Sequence, residues 1–288
     1  MGGVLFGLGP ILALREVASP FWDVLFLAVT STGSVPFLLA AVFLVYWLWD
    51  KRLGLFLGIL LLTSGALNAY LKTLFGLPRP PTVYHKTLVP LTSNGFPSGH
   101  AQAAAVFWSG MALVFRGIWI PVAAAVVFAV AFSRVYLGVH FVGDVLGGAA
   151  IGVVLAVVGF LGYRASFWKR LTPLQKAIVA WLAPTGLALV LLALGEDPYL
   201  LWGLLTGLAV GYVLEGEWVG MARPKGADAI ALRVVVGLFA LAALSSIGLQ
   251  LVHPVLVLTY FHLLGLLVAF ALPWVFVRVE DRLRRANR

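Results

Sequence analysis

The sequence predicts an all-α protein, a bundle of about nine transmembrane helices. Of its 288 residues, 62% are hydrophobic and only 11% are charged, whereas charged residues make up about a quarter of ordinary soluble domains. The mean hydropathy is +1.03. A chain this apolar cannot hide its hydrophobic surface in one globular core, so most of that surface must face lipid. We therefore expect an integral membrane protein.

Nine apolar segments carry this prediction. They cover residues 34–49, 53–74, 101–115, 118–135, 141–163, 174–194, 198–214, 229–250 and 254–277. Several are shorter than the roughly 20 residues that cross a bilayer unaided, so they need tilt or shielding by neighbouring helices. Residues 21–32 either extend the first span or lie flat before it. The N-terminal stretch has no positive side chain before Arg15, which favours a short interfacial helix over a cleaved signal peptide.

The distribution of Lys and Arg predicts the topology. If the turn at 50–52, "DKR", is cytoplasmic, alternation places Arg116, two later basic loops and the C-terminal tail on that same side. Those segments hold 15 of the 20 Lys and Arg residues. The opposite side keeps only Arg15, Lys72, Arg79, Lys86 and Arg134. We therefore expect an external N-terminus and a cytoplasmic C-terminus, in a bacterial or archaeal cell membrane.

Charge and cysteine content exclude several functions. The net charge of +9 would suggest nucleic acid binding in a soluble protein, but here the cations follow the membrane topology, and no nucleic acid partner is expected. The chain has no cysteine, which excludes disulfides and thiol catalysis.

A basic loop at 164–176 divides the predicted helices into five and four. We expect residues 1–165 to form a catalytic membrane core, and residues 166–288 to form accessory helices with a basic cytoplasmic tail. Glycines recur at four-residue spacing in "GDVLGGAAIG" and "GLLTGLAVG". Such spacing lets helices approach closely, and it leaves a homo-oligomer open.

Two cations belong to the first polar stretch on the predicted external side. In "KTLFGLPRP", Lys72 closes the second apolar segment and Arg79 follows seven residues later. Seven residues is close to two helical turns, so the cations could share a face, although Pro78 is expected to bend the chain out of the helix first. For either cation alone, binding an anion and snorkelling to lipid headgroups are both reasonable.

The second polar stretch, "SNGFPSGHAQ", ends where an apolar helix begins. Gly99 lets the backbone come close to a ligand, and the free N–H groups of a helix N-terminus can bind phosphate. Ser98 and His100 stand on either side of that glycine. Taken alone, "PSGH" is explained more readily by a plain helix start.

The third stretch, "SRVYLGVHFVGD", contains Arg134, His140 and Asp144. We expect His140 and Asp144, four residues apart, to lie on one face of a helix. The carboxylate would then accept the proton on one ring nitrogen and leave the other nitrogen as base or nucleophile. An ionisable residue inside a membrane segment is also a functional candidate by default.

Together the three stretches describe a site for a phosphate ester. Three cations neutralise phosphoryl oxygens and stabilise the charge of phosphoryl transfer. One histidine attacks phosphorus while the other protonates the departing oxygen. No carboxylate cluster of metal-binding character accompanies them, so neither a divalent ion nor another cofactor is expected.

The three stretches, in this order, resemble the signature of the type 2 phosphatidic acid phosphatase (PAP2) family, which is related to vanadium haloperoxidases and glucose-6-phosphatase. The family pattern is K-x6-RP, then PSGH, then SR-x5-H-x3-D, and this sequence departs from it at no defining position. By helix layout the resemblance covers about the first 165 residues. The usual bacterial members have six helices, so the four C-terminal helices are an addition, and nine spans are similar to the glucose-6-phosphatase layout.

The resemblance implies a role for each site residue. His140 would be the nucleophile, Asp144 would orient it, and His100 would be the general acid. Lys72, Arg79, Ser98, Gly99 and Arg134 would bind the phosphoryl oxygens. It also implies an active site on the extracytoplasmic face and a metal-independent phosphatase.

The resemblance leaves the substrate and the acceptor open. Candidate substrates are phosphatidate, phosphatidylglycerol phosphate, polyprenyl diphosphates and sphingoid phosphates. A lipid phosphotransferase would use the same intermediate, and a soluble substrate is a further alternative. From a different class, a lipid transporter or binding protein is permitted by nine spans. Transporters, however, usually carry polar groups near the bilayer midplane in repeated halves, and the sequence has neither feature.

Overall fold

The computed structural model describes residues 3–84, 86, 91–165, 170–248 and 250–286. Every regular element within these ranges is helical, which confirms the all-α prediction. The loop at 164–176, where the sequence predicts the domain boundary, lies partly outside the described residues.

The helices follow the predicted apolar segments closely. In chain order they are α1 (Gly9–Glu16), α2 (Pro20–Ser31), α3 (Val35–Leu48), α4 (Lys51–Phe75), α5 (Gly99–Phe115), α6 (Trp119–Tyr136), α7 (Val142–Arg164), α8 (Pro173–Ala193), α9 (Tyr199–Trp218), α10 (Ala227–Gly248), α11 (Pro254–Leu266) and α12 (Leu272–Ala286). A 3₁₀ turn (Thr82–Tyr84) lies between α4 and α5, and a π-helical stretch (Leu267–Ala271) joins α11 to α12.

The number of membrane spans is close to the predicted nine. In the described part of the chain, seven helices are long and apolar enough to cross a membrane, or eight if the bent pair α2 and α3 is one span. These two helices meet at an angle of 51°. Helix α5, with 17 residues, is shorter than each of these seven helices. The chain is thus an integral membrane protein, and nine remains an approximate count.

The chain folds into two compact units. The first comprises Met1–Leu39 and Leu60–Arg164, and the second comprises Ala40–Ile59 and Ala165–Arg288. The division at residue 164 falls beside the boundary expected from the basic loop. Residues 40–59, however, belong to the second unit, because the ends of α3 and α4 that flank the "DKR" turn pack there.

In the first unit, glycines allow α7 to lie directly against α5. A β-carbon added at Gly148 would stand 2.5 Å from the carbonyl oxygen of Ser98, and one at Gly152 would stand 2.5 Å from that of Gln102. Four alanines of α5 are buried, Ala101, Ala103, Ala104 and Ala105, and the β-carbon of Ala105 is among the atoms nearest Gly152. The predicted close approach is therefore realised within one chain. A homo-oligomer remains an open prediction.

In the second unit, the other glycine series serves the same purpose. β-Carbons at Gly203 and Gly207 would stand 2.3 Å and 2.1 Å from backbone oxygens of α11. Separately from this packing, the unit buries an ion pair, in which Arg233 donates to both carboxylate oxygens of Glu280 at 2.7 and 3.1 Å. Both series of glycines therefore face neighbouring segments of the same chain.

Candidate active site

Four helix ends of the first unit carry the predicted site residues. Lys72 lies in the last turn of α4, Gly99 and His100 begin α5, Arg134 lies in the last turn of α6, and Asp144 lies in the first turn of α7. His140 lies in the short connection between α6 and α7.

His140 and Asp144 form the centre of the site. The Nδ1 atom of His140 lies 3.2 Å from Oδ2 of Asp144, and both side chains are buried. The same carboxylate oxygen accepts the backbone N–H of Phe141 at 3.0 Å. The expectation that the pair shares a helix face is therefore wrong in detail, because α7 begins at Val142, after the histidine. Asp144 instead reaches back over its own helix N-terminus to the turn that carries His140.

Arg79 sets the tautomer of His140. Its Nη1 atom lies 2.8 Å from Nε2 of His140 and also donates to the carbonyl oxygen of Val139 at 2.9 Å. A guanidinium can only donate hydrogen bonds, so Nε2 must be the unprotonated nitrogen. The ring proton therefore resides on Nδ1, where it is donated to Asp144.

The surroundings of His140 keep its ring neutral. Burial lowers the pKa of His140 well below its usual range, and the positive charges of Arg79, Arg134 and Lys72 lower it further. Burial also lowers the pKa of Arg79, although Asp144 acts in the opposite direction. An unprotonated imidazole nitrogen is what a nucleophilic histidine requires.

Arg79 and Lys72 form hydrogen bonds with residues that the motifs do not include. Ser93 accepts from Nε of Arg79 through its carbonyl oxygen at 2.7 Å and from Nη2 through its hydroxyl at 3.0 Å. Lys72 donates to the carbonyl oxygens of Asn94 and Gly95, and the Asn94 amide donates back to the carbonyl oxygen of Lys72 at 2.8 Å. These contacts draw the loop before α5 onto the end of α4.

Arg134 is anchored by a residue far away in the sequence. Its Nη1 atom donates to the hydroxyl of the buried Thr30 in α2 at 2.8 Å. Its Nε atom is buried and has no hydrogen-bond partner. The helix pair at the start of the chain thus reaches the site as well, since a β-carbon at Gly33 would stand 3.2 Å from the carbonyl oxygen of His100.

The N-terminus of α5 is open toward the site. Ser98 occupies the N-cap position, but its side chain makes no capping bond, and its hydroxyl is buried without a partner. The backbone N–H of Ser98 donates to the carbonyl oxygen of Asp144 at 2.9 Å. The Oδ1 atom of Asp144 is also buried without a partner. With Arg134 Nε, three polar atoms of the site are thus buried without a hydrogen-bond partner. Such atoms usually mark the position of a ligand or a water molecule.

His100 shares the electrostatic environment of His140. The positive charges of Arg134, Arg79 and Lys72 act on it, and His100 in turn acts on His140. The structure thus brings together all eight residues that the sequence singled out. Their roles in binding or catalysis remain predictions.

Sequence reasoning missed the residues that support the site. They are Thr30, Ser64, Asn68, Ser93, Asn94 and Gln102. Asn68 and Gln102 carry one recognisable signal, because each is an amide inside an apolar helical segment, where an unpaired polar group is costly. Ser93, Asn94 and Thr30 have no such signal.

Within the described ranges, no three His, Asp or Glu side chains lie close enough together to hold a metal ion. The donors around His140 are two guanidinium groups, an ammonium and a helix N-terminus, and this set suits an anion better than a divalent cation.

Two family models match the chain. The first describes the PAP2 superfamily and covers residues 53–168, and the second describes the transmembrane extension of PAP2 superfamily phosphatases and covers residues 199–285. All the motif residues fall in the first range, whereas Thr30 lies before it.

Named relatives match about half of the chain. Phosphatidylglycerophosphatase B of Bacillus subtilis is 32% identical over 157 residues, which is 48% of this chain and 74% of that protein. Lipid A 4'-phosphatase of Bacteroides thetaiotaomicron is 30% identical over 159 residues, which is 49% of this chain and 70% of that protein.

A solved structure is also similar. It is described as a transmembrane PAP2-type phosphatidylglycerolphosphate phosphatase from Bacillus subtilis, with 28% identity, a TM-score of 0.47, and coverage of 55% of this chain and 85% of that one. The complete motifs, the two family models and the two named relatives lead to one conclusion: the chain is a member of the PAP2 superfamily and carries that superfamily's transmembrane extension.

Proposed function

We propose that this protein is a membrane phosphatase that hydrolyses a lipid phosphate or polyprenyl diphosphate through a phosphohistidine intermediate. The observation that carries the proposal is that two hydrogen-bond donors of the site, Ser98 Oγ and Arg134 Nε, are buried without a partner. A phosphoryl group there would accept hydrogen bonds from both. It would also meet the open N-terminus of α5 and the charges of Lys72 and Arg79.

In the first step, Nε2 of His140 attacks phosphorus, and the bond between phosphorus and the leaving oxygen breaks. His100 gives its proton to that oxygen. Asp144 accepts a hydrogen bond from Nδ1 throughout, and its negative charge stabilises the positive charge that the ring acquires. Arg79 must release Nε2 before attack, so we expect a bound phosphoryl oxygen to take over its Nη1 hydrogen bond.

In the second step, water attacks phosphorus on the opposite side from His140 and the N–P bond breaks. His100, now unprotonated, accepts a proton from that water. The products are inorganic phosphate and the regenerated histidine pair. The three cations stabilise the charge of both transition states, and the proposed chemistry requires no metal ion.

The relatives and the surroundings of the site support a lipid substrate and an extracytoplasmic active site. Two relatives are named for lipid substrates, a phosphatidylglycerophosphate and lipid A. The site lies at the ends of helices, several of which are long and apolar enough to cross a membrane. At such a position, an amphiphile can keep its tail in the bilayer while its phosphate reaches His140. The distribution of Lys and Arg supports an extracytoplasmic position for these helix ends.

A phosphate-release panel tests the proposal. Purified protein in detergent is offered phosphatidate, phosphatidylglycerol phosphate, a sphingoid phosphate, a polyprenyl diphosphate and a sugar phosphate. We expect release from at least one lipid, with inhibition by vanadate, a mimic of five-coordinate phosphorus, and no loss in a chelator. Replacing the proposed nucleophile, His140→Ala, should lower kcat by about 10³-fold or more.

The panel also separates the alternatives. Full activity in His140→Ala would exclude the proposed nucleophile, and insensitivity to vanadate would count against the whole site. Transfer of labelled phosphate to a second lipid without release would establish a phosphotransferase. A protein that moves lipids between leaflets and leaves every phosphate bond intact would be a transporter.

A further inference from the structure

A chain of three buried polar side chains runs behind the N-terminus of α5. Ser64 and Asn68 lie one turn apart on α4, and Gln102 faces them from α5. The Nε2 atom of Gln102 donates to both the carbonyl oxygen and the hydroxyl of Ser64 at 2.9 Å. Its Oε1 atom accepts from Nδ2 of Asn68 at 2.8 Å. All three side chains are at most 9% exposed.

Asn68 connects this chain to the "PSGH" segment. Its Nδ2 atom also donates to the carbonyl oxygen of Pro97 at 3.2 Å. Its Oδ1 atom lies so near Gly99 that a β-carbon there would stand 3.1 Å away. One amide therefore contacts the residues on both sides of Ser98, the N-cap residue whose hydroxyl has no partner.

The segment is held at two points that face different helices. Asn68 binds the carbonyl oxygen of Pro97 from α4, while the carbonyl oxygen of Asp144 in α7 binds the N–H of Ser98. Between them these contacts determine the direction in which the first N–H groups of α5 point. Lys72 lies one turn after Asn68 on the same helix, so α4 positions both a cation and the helix N-terminus.

Stability alone is a weak reason for this arrangement. Two amides and a hydroxyl in an apolar interior could be replaced by apolar groups of similar shape with little net change in stability. A fully satisfied polar network instead restricts its members to one geometry.

We propose that Asn68 is a positioning residue, which aims the N–H groups of α5 and the Ser98 hydroxyl at the phosphoryl group. It acts through Pro97 and does not touch the substrate, and Gln102 and Ser64 hold its amide in the required orientation. This inference rests on the proposed phosphatase function.

The test compares two substitutions that each remove a buried hydrogen-bonding group with little change in shape. Asn68→Leu removes both donors of the amide, while the control Thr206→Val removes a buried hydroxyl of the second unit that contacts Nδ1 of His262 at 2.9 Å. Thermal unfolding, kcat, KM and the inhibition constant for vanadate are measured for both variants and for the wild type. Gln102→Met, which keeps Asn68 but removes its acceptor, serves if Asn68→Leu does not fold.

We expect Asn68→Leu to lower kcat/KM by about tenfold to a hundredfold and to weaken vanadate inhibition by a similar factor. Gln102→Met should produce the same pattern with a smaller change. Thr206→Val should lower only the unfolding temperature. If Asn68 had a purely structural role, Asn68→Leu would likewise lower only the unfolding temperature. Unchanged kcat/KM and unchanged vanadate inhibition in folded Asn68→Leu would therefore overturn the inference.

The proposed function can fail separately. If the wild type releases phosphate and His140→Ala does not, the phosphatase proposal stands whatever Asn68→Leu does. If the wild type neither releases phosphate nor binds vanadate, as judged by its unfolding temperature, both proposals are overturned.

Discussion

At the residue scale, both ring nitrogens of His140 have a hydrogen-bond partner. Asp144 accepts the hydrogen bond from Nδ1, while Arg79 donates to Nε2, the atom that would attack phosphorus in the proposed mechanism. A phosphoryl oxygen is a stronger acceptor for a guanidinium than a neutral imidazole, because charge-assisted hydrogen bonds are the stronger ones. Substrate binding can therefore free the nucleophile by attracting Arg79 away from it.

The pKa of His140 leads to a prediction about pH. Because burial and neighbouring cations lower this pKa, protonation of the free enzyme at Nε2 should occur only below the ordinary histidine pKa of about 6.5. The acid limb of kcat/KM that reports His140 should therefore lie below that pH. In Arg79→Gln, the loss of a nearby positive charge should raise the pKa of His140 and move the limb to higher pH, together with a lower rate.

Measuring both enzymes on one lipid substrate keeps the titration of the substrate phosphate common to both profiles. A Tyr84→Phe variant, which changes no charge in the site, serves as the control. An acid limb that stays at the same pH in Arg79→Gln would contradict the electrostatic account of His140.

At the scale of the helices, the site depends on how closely α7 approaches α5. Gly148 lies against the carbonyl oxygen of Ser98, and Gly152 against that of Gln102. The same approach allows the carbonyl oxygen of Asp144 to accept the N–H of Ser98. Larger residues on this side of α7 would separate the helix that carries Asp144 from the helix that carries His100.

Two glycines of α7 provide a matched test of this packing. A β-carbon at Gly152 would stand 2.5 Å from the Gln102 carbonyl oxygen and 2.7 Å from the β-carbon of Ala105, whereas one at Gly162 would meet nothing within 4 Å. Gly152→Ala should therefore destabilise the protein by about 1–3 kcal/mol and lower activity. Gly162→Ala should leave stability unchanged or raise it by up to about 1 kcal/mol, because alanine favours a helix.

Thermal unfolding in one detergent, with activity measured in parallel, compares the two glycine variants. Equal unfolding temperatures for Gly152→Ala and Gly162→Ala would show that α5 and α7 tolerate a wider separation.

At the scale of the whole molecule, the site and most of the Lys and Arg residues lie at different helix ends. The first unit gathers Lys72, Arg79, Arg134 and His140 where α4 and α6 end and α5 and α7 begin. Most other Lys and Arg residues follow the opposite ends of the helices along the chain, including the basic end of α12. From the positive-inside rule, we predict that these ends face the cytoplasm.

Because the chain has no cysteine, single introduced thiols can test this topology. Val83 is 74% exposed beside the site, and Ala222 is exposed in a basic loop. In intact cells, a membrane-impermeant thiol reagent should label Val83→Cys and should label Ala222→Cys only after permeabilisation. The cysteine-free parent is the control, and the opposite labelling pattern would place the active site in the cytoplasm.

The sequence by itself determined the fold class, the approximate number of membrane spans and the eight residues that the structure brings together around His140. These features depend on composition and on the spacing of residues within one segment. In a helix, such spacing determines which residues lie on the same face. Only the tertiary structure decided that Arg79 rests on Nε2 of His140 and that Asp144 reaches back over the start of α7. It alone brought Asn68 to Pro97 and Thr30 to Arg134. Those contacts join distant segments, so they depend on which helix faces pack together, and the local pattern of residues does not specify that choice.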